Sequence, residues 1–120
     1  MTRRDKLETA ELARSLVETI ADKKGADILL LDIRPITLLA DYFLICTGES
    51  EPQIRAITEA VIRRVKQAGI IPLNVEGDSY SGWVLVDCGD IIVHVFAPAE
   101  RSYYQLEKLW DKATVVVKMQ

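Results

Sequence analysis

The chain has 120 residues, of which 49% are hydrophobic and 28% are charged, and its formal net charge is −3 at pH 7. These values are typical of a single globular domain, which we place at residues 1–120, and the acidic balance argues against a protein that binds nucleic acid mainly through phosphates. No apolar segment approaches the roughly 20 residues that cross a bilayer, and the N-terminus does not resemble a signal peptide. We therefore expect a cytoplasmic protein that has no membrane partner.

The first part of the chain predicts a helix followed by two strands. Apolar residues recur at helical spacing over residues 5–24, where Asp5 and Glu8 resemble a capping box. Residues 27–33 and 41–47 are apolar segments of strand length. The first of these segments is apolar on both faces, which is typical of a strand that is covered on both sides.

A second helix and a short strand are predicted next. Ser50 is expected to cap the helix, Gln53 completes a capping box, and Pro52 suits the first turn because its missing N–H costs little there. Residues 70–76 are predicted to form a strand. Pro72 within this segment indicates either a position at the edge of the sheet, where a missing backbone donor is tolerated, or a strand that begins there.

Residues 83–96 predict a β-hairpin, because two apolar segments flank a tight turn at Cys88-Gly89. A two-residue turn there would place Trp83 opposite His94, and directly opposed residues share a face of the sheet. One face would then be aliphatic, with Val84, Val86, Ile91, Val93 and Val95. The other face would carry Trp83, Leu85, Asp87, Asp90, Ile92 and His94, with Asp87 opposite Asp90. A slip of one residue would exchange the two faces.

The end of the chain predicts one more helix, which begins at Pro98 or Ser102. The apolar stripe of this helix would be Tyr103, Leu106, Leu109, Trp110 and Ala113. The tail from Thr114 is ambiguous, because Val115–Val117 could extend the helix or add a short strand. Together the elements predict an α/β or α+β fold in which a mixed five-stranded sheet is flanked by helices.

Two glycine-containing segments resemble phosphate-binding motifs without matching them. Residues 77–82 have Walker spacing between glycines, but Trp83 and Val84 occupy the positions of the lysine and the hydroxyl residue. Residues 47–50 could cradle a phosphate at a strand-to-helix junction, although a tight turn and an N-cap need the same residue types. A nucleotidyltransferase would place an Asp-x-Asp pair after such a turn to hold Mg²⁺, and no such pair follows. We therefore predict neither a metal nor a cofactor.

The reactive side chains favour structural or contact roles. A histidine titrates near neutrality, but His94 has no convincing nucleophile as a partner, because Cys88 is predicted on the opposite face of the hairpin. Cys46 and Cys88 match no metal-ligand spacing, so we expect reduced, partly buried thiols.

The mixed face of the hairpin suits contact with another protein. Asp87 and Asp90 would repel each other if they were directly opposed, and a basic partner surface would offset that cost. Trp83 suits the core and an interface equally well, since tryptophan is enriched among the residues that dominate binding energy in protein interfaces.

Several short motifs occur in a fixed order between the first helix and about Ala113, and so cover nearly the whole chain. They are Lys24-Gly25-x-Asp27-Ile28, Asp41-Tyr42-Phe43, Thr47-Gly48-x-Ser50-x-x-Gln53, Glu76-Gly77, Trp83-Val84-Leu85-x-Asp87-x-Gly89-Asp90, Val93-His94-Val95-Phe96 and Arg101-x-Tyr103-Tyr104-x-Leu106-Glu107-x-Leu109-Trp110. Each motif is weak alone, but the ordered set is specific. It resembles the ribosomal silencing factor family, also called RsfS or Iojap-like.

This resemblance implies a translation repressor that is not an enzyme. Members of the family bind the large ribosomal subunit through ribosomal protein L-fourteen, block joining of the small subunit and lower protein synthesis when nutrients are short. The resemblance also implies a mixed sheet related to the nucleotidyltransferase fold, without its catalytic carboxylates.

We expect the mixed face of the hairpin to be the docking surface. Trp83 and Leu85 would be desolvated anchors, and the two aspartates would pair with lysine or arginine of the partner. The expected partner-binding residues are Trp83, Leu85, Asp87, Asp90, Tyr42, Glu76 and His94. Two further hypotheses stay open, namely a metal-dependent nucleotide-handling enzyme on a nucleotidyltransferase-like scaffold and a homodimer formed through the exposed sheet.

Overall fold

The computed structural model describes residues 6–120, with side chains from residue 8 onwards. In chain order the elements are α1 (Lys6–Asp22), β1 (Ala26–Asp32), β2 (Tyr42–Thr47), α2 (Glu51–Gln67), β3 (Asn74–Glu76), β4 (Trp83–Asp87), β5 (Ile91–Phe96), α3 (Pro98–Tyr104), α4 (Leu106–Leu109) and β6 (Thr114–Met119). Asp5, one half of the predicted capping box, lies outside the described residues. Up to β5 the order of helices and strands is the predicted one.

The strands form one sheet of six strands in the order β3-β4-β5-β2-β1-β6. β2 and β5 run parallel and every other neighbouring pair is antiparallel, so the sheet is mixed as predicted. The predicted number of five strands is wrong, because β6 pairs with β1 as a sixth strand. β3 lies at the other edge of the sheet, which confirms the predicted edge position, but the strand begins only after Pro72 and is shorter than the predicted segment 70–76.

The two faces of the sheet are covered by different parts of the chain. Helices α1 and α2 cover one face, and their buried residues pack with the aliphatic side of the hairpin, including Val84 and Val93. On the other face, Leu106 and Trp110 pack against a second buried cluster. That cluster consists of Leu31, Ile33, Ala40, Phe43, Ile45 and Phe96. The hairpin therefore contributes one face to each of the two cores.

The beginning of α2 confirms the predicted cap. The Ser50 hydroxyl accepts a hydrogen bond from the Gln53 backbone N–H at 3.3 Å, and the Gln53 side-chain oxygen Oε1 accepts one from the Glu49 N–H at 2.6 Å. The Gln53 amide also donates to the carbonyl oxygens of Lys23 and Lys24. One side chain thus caps α2 and ties its first turn to the end of α1.

The predicted last helix begins at Pro98 but is not continuous. Gln105 has a left-handed backbone conformation with φ of 46°, which ends α3 and separates it from α4. The apolar stripe is interrupted as a result, because Tyr103 and Leu109 are 80% and 74% exposed. The helix therefore turns where periodicity predicted a straight segment.

Candidate protein-binding site

The hairpin turn consists of Gly89 and Asp90. The Cys88 N–H donates to the Ile91 carbonyl oxygen at 2.9 Å across the turn, and Gly89 has φ of 87°, which glycine adopts without strain. The predicted turn at Cys88-Gly89 is wrong by one residue. Because the predicted and the observed turn each contain two residues, the partner of every β4 residue lies two positions further along β5 than predicted.

The shift by two positions changes the pairs and preserves the faces. The observed pairs on the mixed face are Trp83 with Phe96, Leu85 with His94 and Asp87 with Ile92. Side chains alternate with a period of two, so the valines still point towards α1 and α2. Asp87 and Asp90 are not opposed, and the predicted repulsion between them is wrong. Asp87 instead accepts a hydrogen bond from the Gly89 N–H at 2.9 Å and so stabilises the turn.

The neighbouring strand and α3 extend the mixed face. Glu76 on β3 pairs with Leu85 and therefore points to the same side of the sheet. Tyr104, the last residue of α3, lies against Trp83 with a distance of 4.7 Å between ring centroids. We call this patch the hairpin surface and define it by Glu76, Trp83, Leu85, Asp87, Asp90 and Tyr104. Tyr104 was missing from the predicted set, because its place depends on how α3 packs on the sheet.

Trp83 is held rigidly while part of its ring stays exposed. The indole stacks on Phe96 at 4.9 Å between centroids, and its Nε1–H donates to His94 Nδ1 at 3.2 Å. A buried neighbour thus satisfies the one polar group of the indole. A side chain that is already fixed loses little entropy on binding, so Trp83 is suited to be an anchor for a partner.

His94 supports the hairpin surface from below. Its side chain is 4% exposed, and its ring lies 5.0 Å from that of Phe43 in an edge-on arrangement. Burial lowers the pKa of His94 to about 4, so the ring is neutral near pH 7. Nδ1 accepts the hydrogen bond from the indole, which leaves the proton on Nε2, an atom that has no hydrogen-bond partner among the described residues. The structure does not place His94 on the exposed surface where it was expected, because its ring is buried beneath Trp83.

Tyr42 lies on the other side of the sheet. Its side chain is 5% exposed and belongs to the core under α1 and α2, and the Arg34 guanidinium lies 5.5 Å from its ring centroid. β2 runs next to β5, but Tyr42 pairs with Ile91, a residue of the aliphatic face. The expectation that Tyr42 extends the hairpin surface is therefore wrong.

The hairpin surface combines aromatic and aliphatic side chains with three carboxylates. Leu85 and Asp87 are half-buried, while Glu76 and Asp90 are exposed. None of these three carboxylates forms an ion pair with another described residue. Half-buried apolar groups beside unpaired charges of one sign are typical of a surface that docks on a protein of opposite charge.

Within residues 6–120, no cluster of side chains is suited to bind a metal ion. In the described part of the chain, no three His, Cys, Asp or Glu side chains lie close enough to hold a metal ion, and no helix is long and apolar enough to span a membrane. Cys46 and Cys88 are buried, and within the described residues neither forms a disulfide bond. The described residues thus form a small α/β fold whose hairpin surface is acidic and partly apolar.

Comparison with known proteins gives the family. The model of the family described as ribosomal silencing factor during starvation matches residues 6–120, and the chain belongs to this family. A ribosomal silencing factor RsfS of Bacillus subtilis is 51% identical over 92 residues, which are 77% of this chain and 78% of that protein. The RsfS of Halalkalibacterium halodurans is 43% identical over 106 residues, which are 88% of this chain and 91% of that protein.

More distant relatives and a solved structure agree with this assignment. The chloroplastic protein Iojap of Arabidopsis thaliana is 32% identical over 111 residues, which are 91% of this chain and 45% of that protein. A crystal structure of a protein from Chromobacterium violaceum has a TM-score of 0.81 and 38% identity, and the match covers 90% of this chain and 92% of that one. The resemblance inferred from the sequence motifs is confirmed, and with it a role in translation regulation and association with the ribosome.

Proposed function

We propose that this protein is a cytoplasmic translation repressor, active as one domain and without catalysis. It binds the large ribosomal subunit through ribosomal protein L-fourteen and sterically blocks joining of the small subunit, which lowers protein synthesis under nutrient limitation. Membership of the ribosomal silencing factor family supports the ribosome as the target. The main support for this docking site is Trp83, a half-buried side chain whose orientation is fixed by a hydrogen bond to His94. The carboxylates around it have no ion-pair partner among the described residues.

Charge supports a protein rather than ribosomal RNA as the direct contact. The chain is acidic overall, and the hairpin surface contributes Glu76, Asp87 and Asp90 without a lysine or arginine. Phosphates would be repelled by this surface, whereas a basic ribosomal protein would be attracted and oriented by it. The carboxylates would set the rate and orientation of docking, and Trp83 and Leu85 would provide most of the binding energy.

The experiment for the function measures subunit joining. Purified small and large subunits are mixed with and without the protein under conditions that form whole ribosomes, and the products are separated on sucrose gradients. We expect the protein to sediment with the large subunit and to reduce the whole-ribosome peak in proportion to its concentration. Unchanged ribosome formation at saturating protein would overturn the proposal.

The experiment for the site compares two matched strand positions. Leu85→Glu places a charge on the hairpin surface, whereas Val115→Glu makes a similar change on β6, at the opposite edge of the sheet. We expect Leu85→Glu to weaken binding to the large subunit at least tenfold, which corresponds to about 1.4 kcal/mol, and Val115→Glu to bind as the wild type does. Circular dichroism checks that both variants are folded.

Two other hypotheses give different results in the same preparations. A nucleotide-handling enzyme would show tight, Mg²⁺-dependent nucleotide binding, which calorimetry detects. A homodimer formed through the hairpin surface would compete with the ribosome, so sedimentation equilibrium of wild type and Leu85→Glu would differ. The proposal predicts no nucleotide binding.

A further inference from the structure

A cavity beside Trp83 has the shape and chemistry of a site for one cationic side chain. Its volume is about 320 Å³. It is lined by Glu76, Gly77, Ser81, Trp83, Leu85 and Tyr104. The cavity opens on the hairpin surface, so a side chain of a docked partner can enter it.

Two aromatic rings form one wall of this cavity. The rings of Trp83 and Tyr104 lie 4.7 Å apart between centroids with an angle of 47° between their planes. Phe96 stacks behind the indole, while Tyr104 is 46% exposed. Aromatic faces attract cations, and tryptophan does so most strongly among the side chains.

Glu76 provides the only charge among the lining residues. Its carboxylate is exposed and forms no ion pair with a described residue. The Ser81 hydroxyl, which also lines the cavity, is already bonded to backbone groups of Asp78 and Trp83. One carboxylate without a partner therefore faces the space in front of two aromatic rings.

Gly77 sets the shape of the cavity on this side. It has φ of 79°, and a Cβ at this position would collide with the Trp83 carbonyl oxygen. The loop can approach β4 this closely only because residue 77 has no side chain. This close approach keeps the carboxylate of Glu76 and the ring of Trp83 in the lining of the same cavity.

We propose that this cavity, which we call the arginine pocket, receives one arginine side chain of the partner protein. The guanidinium would lie against the rings of Trp83 and Tyr104 and donate two hydrogen bonds to Glu76. Arginine fits better than lysine, because its planar group can stack on a ring and bond a carboxylate in parallel. The inference rests on the proposed function and specifies how the hairpin surface recognises a basic protein.

The first test uses a small probe and no ribosome. The Trp83 indole N–H signal is followed by NMR while N-acetyl-arginine methylamide is added, and the neutral analogue N-acetyl-citrulline methylamide serves as the control. We expect saturable shifts with arginine in the millimolar range and binding at least about tenfold weaker with citrulline. Glu76→Gln should reduce the difference between the probes, because only the attraction of the cation to the aromatic rings remains. Equal shifts with both probes in the wild type, or none, would overturn the arginine pocket.

The second test measures affinity for isolated large subunits. Glu76→Gln is expected to bind about tenfold more weakly than wild type, while Glu18→Gln, the same change on the exposed side of α1, binds normally. Tyr104→Ala should weaken binding, and Tyr104→Phe should restore it because the ring is kept. Tyr103→Ala removes the neighbouring exposed ring and serves as the control.

The two tests separate the pocket from the proposed function. If the wild type binds large subunits and both Glu76→Gln and Tyr104→Ala bind equally well, the arginine pocket is wrong and the function stands. If the wild type fails to bind subunits, the function is wrong, and the probe titration alone decides whether the pocket recognises arginine.

Discussion

Acidification should destabilise this protein through His94, the residue that holds Trp83 in place. Burial lowers the pKa of His94 from 6.5 to about 4, so the unfolded chain takes up a proton at a higher pH than the folded one does. Stability is therefore complete above pH 6.5 and falls as the pH drops towards 4. The full shift corresponds to about 3 kcal/mol, of which about 2 kcal/mol is lost by pH 5.

The assay is urea denaturation followed by circular dichroism at pH 7.5 and pH 5. The matched variant is His94→Phe, which keeps a ring in the aromatic cluster, cannot be protonated and no longer accepts the hydrogen bond from Trp83. We expect the wild type to lose about 2 kcal/mol more than the variant between the two pH values, since all other titrating groups are common to both. Equal losses in both proteins would refute the assignment of a neutral, buried His94.

Three further predictions concern the scaffold. Gly77→Ala should lower the free energy of unfolding, measured by urea denaturation, by at least about 2 kcal/mol, because the new methyl group meets the Trp83 carbonyl oxygen. The control is Gly69→Ala, a position with a similar φ and open space around it, where the loss should be only about 1 kcal/mol. Arg101→Met should lower the free energy of unfolding by about 2 kcal/mol in the same assay, because it removes the 2.9 Å ion pair with Glu107 and the hydrogen bonds to Asp27 and Thr47. An unchanged free energy of unfolding would contradict these contacts. Burial raises the pKa of Cys46 to about 12, so only about 10⁻⁴ of the thiol is ionised at pH 8, and mass spectrometry should show alkylation by iodoacetamide only after unfolding.

Features that depend on neighbouring residues were predictable from the sequence. The cap of α2 follows from Ser50 and Gln53, whose side chains act within one turn of the helix. The edge position of β3 follows from Pro72, and the two faces of the hairpin follow from the period of two. These signals are local, so the rest of the fold does not alter them.

The turn of the hairpin shows where local signals become ambiguous. Gly89 could occupy either central position of a two-residue turn, and both choices leave the valines on the same face. Hydrophobic alternation therefore could not distinguish the predicted pairing from the observed one. Only the pairing itself, with Trp83 opposite Phe96, shows that the two aspartates are not opposed.

The remaining errors come from contacts between distant parts of the chain. Tyr42 and His94 were assigned to the docking surface from their strands, but their burial depends on the order of the strands and on what covers each face. Gln105 ends α3 in a left-handed conformation that glycine usually provides, so no sequence signal marked the break. Tyr104, the last residue before this break, lies 4.7 Å from Trp83 between ring centroids.

The most direct test of the central claim is the affinity of the protein for purified ribosomal protein L-fourteen, measured by calorimetry. Glu76→Lys combined with Asp90→Lys reverses two exposed charges of the hairpin surface, and Glu11→Lys combined with Glu18→Lys makes the same change in charge on α1. We predict that the wild type binds, that the first double variant binds at least tenfold more weakly and that the second binds as tightly as the wild type at moderate salt. If the first double variant bound as tightly as the wild type, the hairpin surface would not be the docking site.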